Sequence, residues 1–174
     1  MGSTLTDQDK YFLDLTVKSA KKAYTIGNFP IGAVLVIDDK LIGTRENKIN
    51  EKKSYFEHAE ISLISDHATE LYEAHQANQN STLYSTLEPC LQCLGVSVLS
   101  YVTKIIYITK DPRGGACDMG HNNIGDFYQE WWPEIIHAPI SNIPLNLMMQ
   151  FFKDEVQKGN TQWAQHMIEL FEKQ

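Results

Sequence analysis

A chain of 174 residues, 43% hydrophobic and 21% charged, can bury a sizeable core and reads as one domain, with a core over about 6–157 and a last helix over about 161–172. Its net charge of -7 argues against a broad nucleic-acid surface, while leaving room for a small local basic patch. No apolar run is long enough to span a bilayer, no secretory signal is visible at the start, and three cysteines with one tight pair do not make a disulfide framework, so the expectation is a reducing, cytoplasmic setting with no membrane.

Residues 6–26 predict an amphipathic helix. Thr6 is its N-cap, Asp7 and Asp9 suit the positive end of the dipole, and Phe12, Leu15, Ser19, Ala23 and Ile26 share one face. Lys18, Lys21 and Lys22 sit largely elsewhere and read as a solvated face. Gly27-Asn28-Phe29-Pro30 ends the helix. Residues 32–37 predict a buried strand, Asp38-Asp39 a turn and residues 40–45 a second strand. Gly32 and Ala33 are small enough for a flat ligand, another backbone or a helix to come close.

Residues 46–56 predict a polar loop that delivers His58 to a second helix over about 58–72. Ala59, Ile61, Leu63, Ile64, Ala68 and Leu71 give that helix apolar faces on more than one side, as burial requires. A polar connection follows over 73–80, then a strand over 82–87, a helix over about 90–101 and a strand over 104–109. The order β-β-α-β-α-β predicts a sheet that is at least partly parallel, with helices packed on it. Residues 110–125 form a long loop, a length that points to function. Residues 134–138 predict a short fifth strand, and Pro144 opens a helix to about 158.

Two short pieces carry the chemistry: His58-Ala59-Glu60 and Pro89-Cys90-Leu91-Gln92-Cys93. Two thiols and an imidazole are three zinc ligands, and three leave a fourth position open, as catalytic zinc needs. Cys90 and Cys93 are three apart, so at a helix start both sulfurs point to one side, and the helix dipole favours their thiolate forms. Glu60 then stands beside the open position as a carboxylate, not as a ligand. Zinc makes water a nucleophile near neutral pH, and a carboxylate there can take and return protons. The combination H-x-E with P-C-x-x-C is the pattern of zinc-dependent base deaminases. The alternatives are a redox Cys-x-x-Cys pair, or a structural zinc with Cys117 or His121 as fourth ligand. His67, His75, His137 and His166 have no evident partner and read as surface or packing residues.

Phe29–Val36, Asn47, His58-Ala59-Glu60, Thr82–Cys90 and Asp111–Ala116 together make the chain resemble the cytidine and deoxycytidylate deaminase superfamily, nearest the branch of tRNA adenosine deaminases and guanine deaminases. The resemblance runs from about residue 11 to 117, more loosely to 157. It implies a three-layer α/β/α fold with a mixed five-stranded sheet, one zinc per subunit and a homodimer. It also implies that Asn47 hydrogen-bonds the base and that the Ala59 N–H holds a substrate carbonyl or ring atom. Glu60 would move protons from water to a ring nitrogen and to the leaving ammonia.

Two departures bear on substrate. Residues 151–156 are not basic, as the final helices of tRNA adenosine deaminases typically are. Phe127, Tyr128, Trp131 and Trp132 are also foreign to the branch; they could cap a flat base, bury a dimer contact or pack the core. The expectation is therefore a hydrolytic deaminase of a small guanine- or cytosine-type base or nucleoside. The alternative is a tRNA adenosine deaminase, which needs a basic path from residues such as Arg45, Lys48, Lys52, Lys53, Lys110 and Arg113. A third reading is a non-catalytic deaminase-like subunit, for which Glu60 has no use.

Overall fold

The computed structural model describes residues 5–173 and forms one mixed sheet from β1 (Gly32–Ile37), β2 (Lys40–Glu46), β3 (Ser81–Leu87), β4 (Lys104–Thr109) and β5 (Glu134–His137). The spatial order is β2-β1-β3-β4-β5. The β1–β2 and β1–β3 pairs are antiparallel, and the β3–β4 and β4–β5 pairs parallel. Asp38 and Asp39 make the β1–β2 turn, both with positive φ (43° and 65°), the backbone that a tight hairpin needs.

The two sheet faces bury different residues because side chains alternate along a strand. Val34, Val36, Tyr84, Ile106 and Ile108 face α1 (Asp7–Thr25). Ala33, Leu35, Leu83 and Ile105 face the other side, where α3 (Ala59–Asp66), α4 (Ala68–Gln76) and α5 (Leu91–Leu99) supply Leu63, Ile64, Leu71, Leu94 and Val98. The predicted three-layer α/β/α architecture is what the chain builds. No described helix is long and apolar enough to cross a membrane.

Helix α1 begins as predicted. The Thr6 hydroxyl accepts from Asp9 N at 3.0 Å and the Asp9 carboxylate accepts from Thr6 N at 2.8 Å. Its buried stripe is rotated from the predicted one, to Phe12, Leu13, Thr16, Val17, Ala20 and Ala23, and Ile26 stays exposed. Gly32 gives the reason. A Cβ there would stand 2.2 Å from Thr16 O and 2.7 Å from Ala20 N, so the helix backbone lies directly on the strand. The small residues at 32 and 33 serve helix packing, not a flat ligand. Gly32→Ala is expected to cost about 1–3 kcal/mol by forcing the layers apart. Thermal unfolding should then fall by roughly 5 °C with metal content unchanged, and an unchanged midpoint would refute the close contact.

The helix predicted over 58–72 is broken in two. His67 (φ -120°, ψ 28°) ends α3 and precedes α4, which runs through the predicted polar connection to Gln76. The His67 ring occupies the space beside Gly43, where a Cβ would lie 2.4 Å from Nε2, and Nδ1 is 3.1 Å from Glu70. The predicted loop 46–56 contains the short helix α2 (Ile49–Lys52), closed by Lys53 at φ 53°. Asn28 Oδ1 ties it down by accepting from Asn50 N (2.9 Å) and Glu51 N (3.0 Å).

After β4 come α6 (Asp126–Glu130), β5, α7 (Ile143–Gln157) and α8 (Thr161–Phe171). The last two form a hairpin through Gly159 (φ 97°) and share a cluster of Met148, Phe151, Phe152, Ile168 and Phe171 with Leu87 at the end of β3. That cluster brings the C-terminal helices to the sheet end from which Cys90 departs.

Candidate metal centre and active site

Two helix starts converge at this end. His58 is the N-cap of α3 and Cys90 the N-cap of α5, both in extended backbone (ψ 146° and 172°), and Cys93 follows one turn later. The structure brings the three predicted ligands together. Cys93 Sγ is 3.3 Å from His58 Nδ1, Cys90 Sγ is 3.7 Å from it, and the sulfurs are 3.4 Å apart. All three donor atoms lie within 4.8 Å of one another. Ordinary Zn–S and Zn–N lengths at tetrahedral angles set ligand–ligand edges of about 3.6–3.8 Å, so this triangle fits one face of a zinc tetrahedron.

The contact with Cys93 draws the Cys90 thiol down to about 4, helped by His58 and opposed by burial. The same contact, then burial, pushes Cys93 well above the usual thiol range. A zinc ion held here would take both sulfurs as thiolates.

Glu60 is buried in the first turn of α3, with Oε2 3.5 Å from Cys93 Sγ and Oε1 accepting from Ser85 Oγ at 2.7 Å. Burial pushes its carboxyl up and the Ser85 bond opposes this. A carboxyl so placed can both take and give a proton, the property required of a general acid–base.

A family model described as the cytidine and deoxycytidylate deaminase zinc-binding region matches residues 6–109, which include this whole constellation. The chain belongs to that family. It is a zinc-type hydrolytic deaminase, and its donor set fits the metal.

Several relatives carry the name tRNA-specific adenosine deaminase. The Bacillus subtilis (strain 168) protein is 32% identical over 147 residues, covering 84% of this chain and 90% of that one. The Aquifex aeolicus (strain VF5) protein is 33% identical over 106 residues, 61% of this chain and 69% of that one. A solved structure from work on A-to-I editing by tRNA:A34 deaminases superposes with TM-score 0.62 at 27% identity, covering 79% of this chain and 99% of its own. A guanine deaminase from Nitrosomonas europaea superposes with TM-score 0.66 at 13% identity, covering 85% of each chain, a likeness of fold alone.

Beside the metal centre the deaminase has a cavity of about 200 Å³ lined by His58, Asn47 and Asp111 on one side and by Phe152, Met167 and Phe171 on the other. Asn47 Oδ1 accepts from Ile49 N at 3.1 Å, while its buried Nδ2 has no hydrogen-bond partner among the described residues. A buried donor without a partner costs stability, so a donor left open beside a metal site fits a ligand. Ala59 is buried at the first position of α3, where the backbone N–H has no intrahelical acceptor.

Other predicted candidates are elsewhere. Cys117 is outside the metal group among the described residues; its thiol, buried with Sγ 4.0 Å from Pro89 O, is pushed up to about 12 by burial. His121 stacks on Trp132, with ring centroids 4.9 Å apart. Trp131 packs edge-on against His75 and Tyr101, each at 5.0 Å. Phe127, Trp131 and Trp132 all pack on the core beneath α3–α5, so these aromatics are packing residues rather than a cap on a base.

Sequence reasoning missed Ser85 and Glu88. Ser85 reads as one polar residue in a strand, yet it is wholly buried and faces Glu60. Glu88 is a buried carboxylate that accepts from Cys117 N (2.9 Å) and Asp111 N (3.2 Å), pinning the 111–117 loop to the Cys90 segment. A Cβ on Gly115 would lie 2.4 Å from the Glu88 carboxylate, so a side chain there would push that carboxylate from its place. Ser85→Ala is expected to lower kcat about tenfold with KM little changed, since one buried hydrogen bond is worth about 1–1.5 kcal/mol. Wild-type kcat in that variant would remove Ser85 from the placement of Glu60.

Proposed function

We propose that this deaminase converts adenosine to inosine in tRNA, adding water at the amino-bearing ring carbon and releasing ammonia. What carries the reading is the 32% identity to the Bacillus subtilis tRNA-specific adenosine deaminase, sustained over 84% of this chain and 90% of that protein. The expected small base or nucleoside has weaker support: it rests on the charge of -7 and the non-basic 151–156 segment, and the guanine deaminase likeness is one of fold.

His58, Cys90 and Cys93 would hold the zinc, which when bound would make water a nucleophile near neutral pH. Glu60 accepts a proton from the attacking water and passes it to the ring nitrogen, then takes the second proton from the newly added hydroxyl and delivers it to the amino group, which departs as ammonia. Asn47 Nδ2 and the Ala59 N–H donate to acceptor atoms of the base. A base in a stacked strand cannot reach these groups, so the target enters the cavity extruded. The subunits pair as a homodimer and the enzyme works in the cytoplasm, where its tRNA is.

Half of the basic path expected for tRNA is paired with acids within the protein. Arg45 pairs with Asp66 (2.7 Å), Lys48 with Glu46 (3.6 Å) and Lys110 with Asp118, while Arg113 Nη1 lies 3.6 Å from Met167 Sδ. Lys52 and Lys53 enter no ion pair among the described residues. The test is a panel of tRNA, adenosine, guanine and cytosine incubated with zinc-loaded protein, reading inosine and ammonia. Inosine in tRNA is the expected product; ammonia from guanine or cytosine with none from tRNA would overturn the reading.

A further inference from the structure

Among the described residues, the buried side-chain polar atoms left without a hydrogen-bond partner are Nδ2 of Asn28 and Nδ2 of Asn47. Both asparagines close on the same short element with their other atom. Asn47 Oδ1 accepts from Ile49 N at 3.1 Å, and Asn28 Oδ1 accepts from Asn50 N at 2.9 Å and Glu51 N at 3.0 Å. These are the first three amides of α2, which have no acceptor inside the helix. The N-cap, Lys48, supplies no side-chain bond to them. A helix of four residues cannot hold itself in place, so its position comes from these outside ties.

Asn28 is the fixed end of the arrangement. It is wholly buried yet belongs to none of the three apolar clusters, so its place is not one of core packing. Its own N–H donates to Ala23 O at 2.9 Å, one residue after Gly27 N donates to Tyr24 O at 3.0 Å, which fastens it to the last turn of α1. That helix lies directly on β1 at Gly32. Asn50 Nδ2 adds a second tie, donating to Gly27 O at 2.8 Å.

Asn47 is the dependent end. Its backbone is held apart from α2, with Asn47 N donating to Ile31 O (2.9 Å) and Lys48 N to Glu57 O (3.0 Å). Only the rotation of its amide depends on the helix. An amide carries an acceptor on one side and a donor on the other. Ile49 N–H takes the oxygen, which leaves Nδ2 as the open group beside the cavity. If Ile49 N drew away, the amide would be free to turn its oxygen outward instead.

We propose that Asn28 is a positioning residue for substrate binding: by clamping the first turn of α2 it keeps Ile49 N on Asn47 Oδ1, so that Asn47 offers the base a donor and not an acceptor. The inference rests on the reading above that Asn47 contacts the base. A buried amide with an unpaired donor is costly, and here the cost is offset by two backbone N–H groups that would otherwise be unpaired themselves.

The test uses the zinc-loaded full chain and has two arms, amide hydrogen exchange without substrate and steady-state kinetics on tRNA. In Asn28→Ala, exchange at Ile49, Asn50 and Glu51 should quicken about tenfold or more. KM should rise about tenfold, the worth of one hydrogen bond, at nearly unchanged kcat. Asn28→Asp, which keeps an accepting oxygen, should return both to near wild type. Asn47→Ala should raise KM as much, and the double variant no further, since both changes break one contact. An Ile49 amide that stays protected in Asn28→Ala overturns the proposal. So does an unchanged KM there beside a raised KM in Asn47→Ala, and so do additive losses in the double variant; each leaves the Asn47 contact standing. An unchanged KM in Asn47→Ala overturns that contact and the positioning with it. If tRNA yields no inosine, the tRNA reading falls, and the exchange arm still decides whether Asn28 holds Ile49. Zinc content and the thermal midpoint check the fold. Should Asn28→Ala lose it, Asn50→Ala carries the test: this exposed side chain ties the same turn to Gly27 O, and its loss should raise KM about threefold, while no change overturns the clamp.

Discussion

Glu60→Gln is expected to retain zinc and lose turnover by about 10³-fold or more. The glutamine keeps the volume and an oxygen for the 2.7 Å bond from Ser85 Oγ, so the buried site has no reason to rearrange. It cannot take up and release a proton. Positioned proton transfer contributes typically 10²–10⁴-fold, and here one carboxylate serves several transfers in sequence. Metal analysis should find one zinc per chain in both proteins, because Glu60 lies outside the ligand triangle of His58, Cys90 and Cys93. Turnover at the wild-type rate with zinc bound would end the proposed role. It would also revive the non-catalytic subunit, for which the carboxylate is dispensable.

Cys90→Ala should abolish zinc binding and, with it, part of the stability. Cys90 is half-buried, so little packing is lost with its sulfur, unlike Cys93, which is 1% exposed. The loss then reports the metal. A ligand that binds only the folded chain at 100 times its Kd stabilises it by about 2.7 kcal/mol, which for a chain of this size moves the thermal midpoint by roughly 5–10 °C. Removing zinc from the wild type with a chelator should bring its midpoint to that of the variant, while the variant should not respond to the chelator. A variant that holds zinc and melts with the wild type would contradict the ligand assignment.

The site was more legible than the fold details. His58, Cys90 and Cys93 could be named because metal ligation demands particular atoms at particular spacings, and a helix start brings residues three apart to one side. Strands were legible from apolar runs bounded by turn residues. Where the reading failed, a contact from far along the chain was responsible. The buried stripe of α1 depends on Gly32, sixteen residues beyond Thr16, and the break at His67 goes with Gly43 of β2. The aromatics of 127–132 left a cap, a dimer contact and core packing open in the sequence, and it is Tyr101 and His75, far off in the chain, that pack against Phe127 and Trp131.

By itself the sequence pointed to the family, and to the metal ligands and proton carrier proposed here, because those rest on atom types and short spacings that survive any packing. Only the tertiary structure decided that Ser85 faces Glu60, that Glu88 pins the loop behind Cys90, and that α8 brings Met167 and Phe171 to the cavity beside His58. These are meetings of residues 25 to more than 100 positions apart. They follow from how two helix layers and a C-terminal hairpin close over one end of a sheet, and no local pattern in the chain encodes that closure.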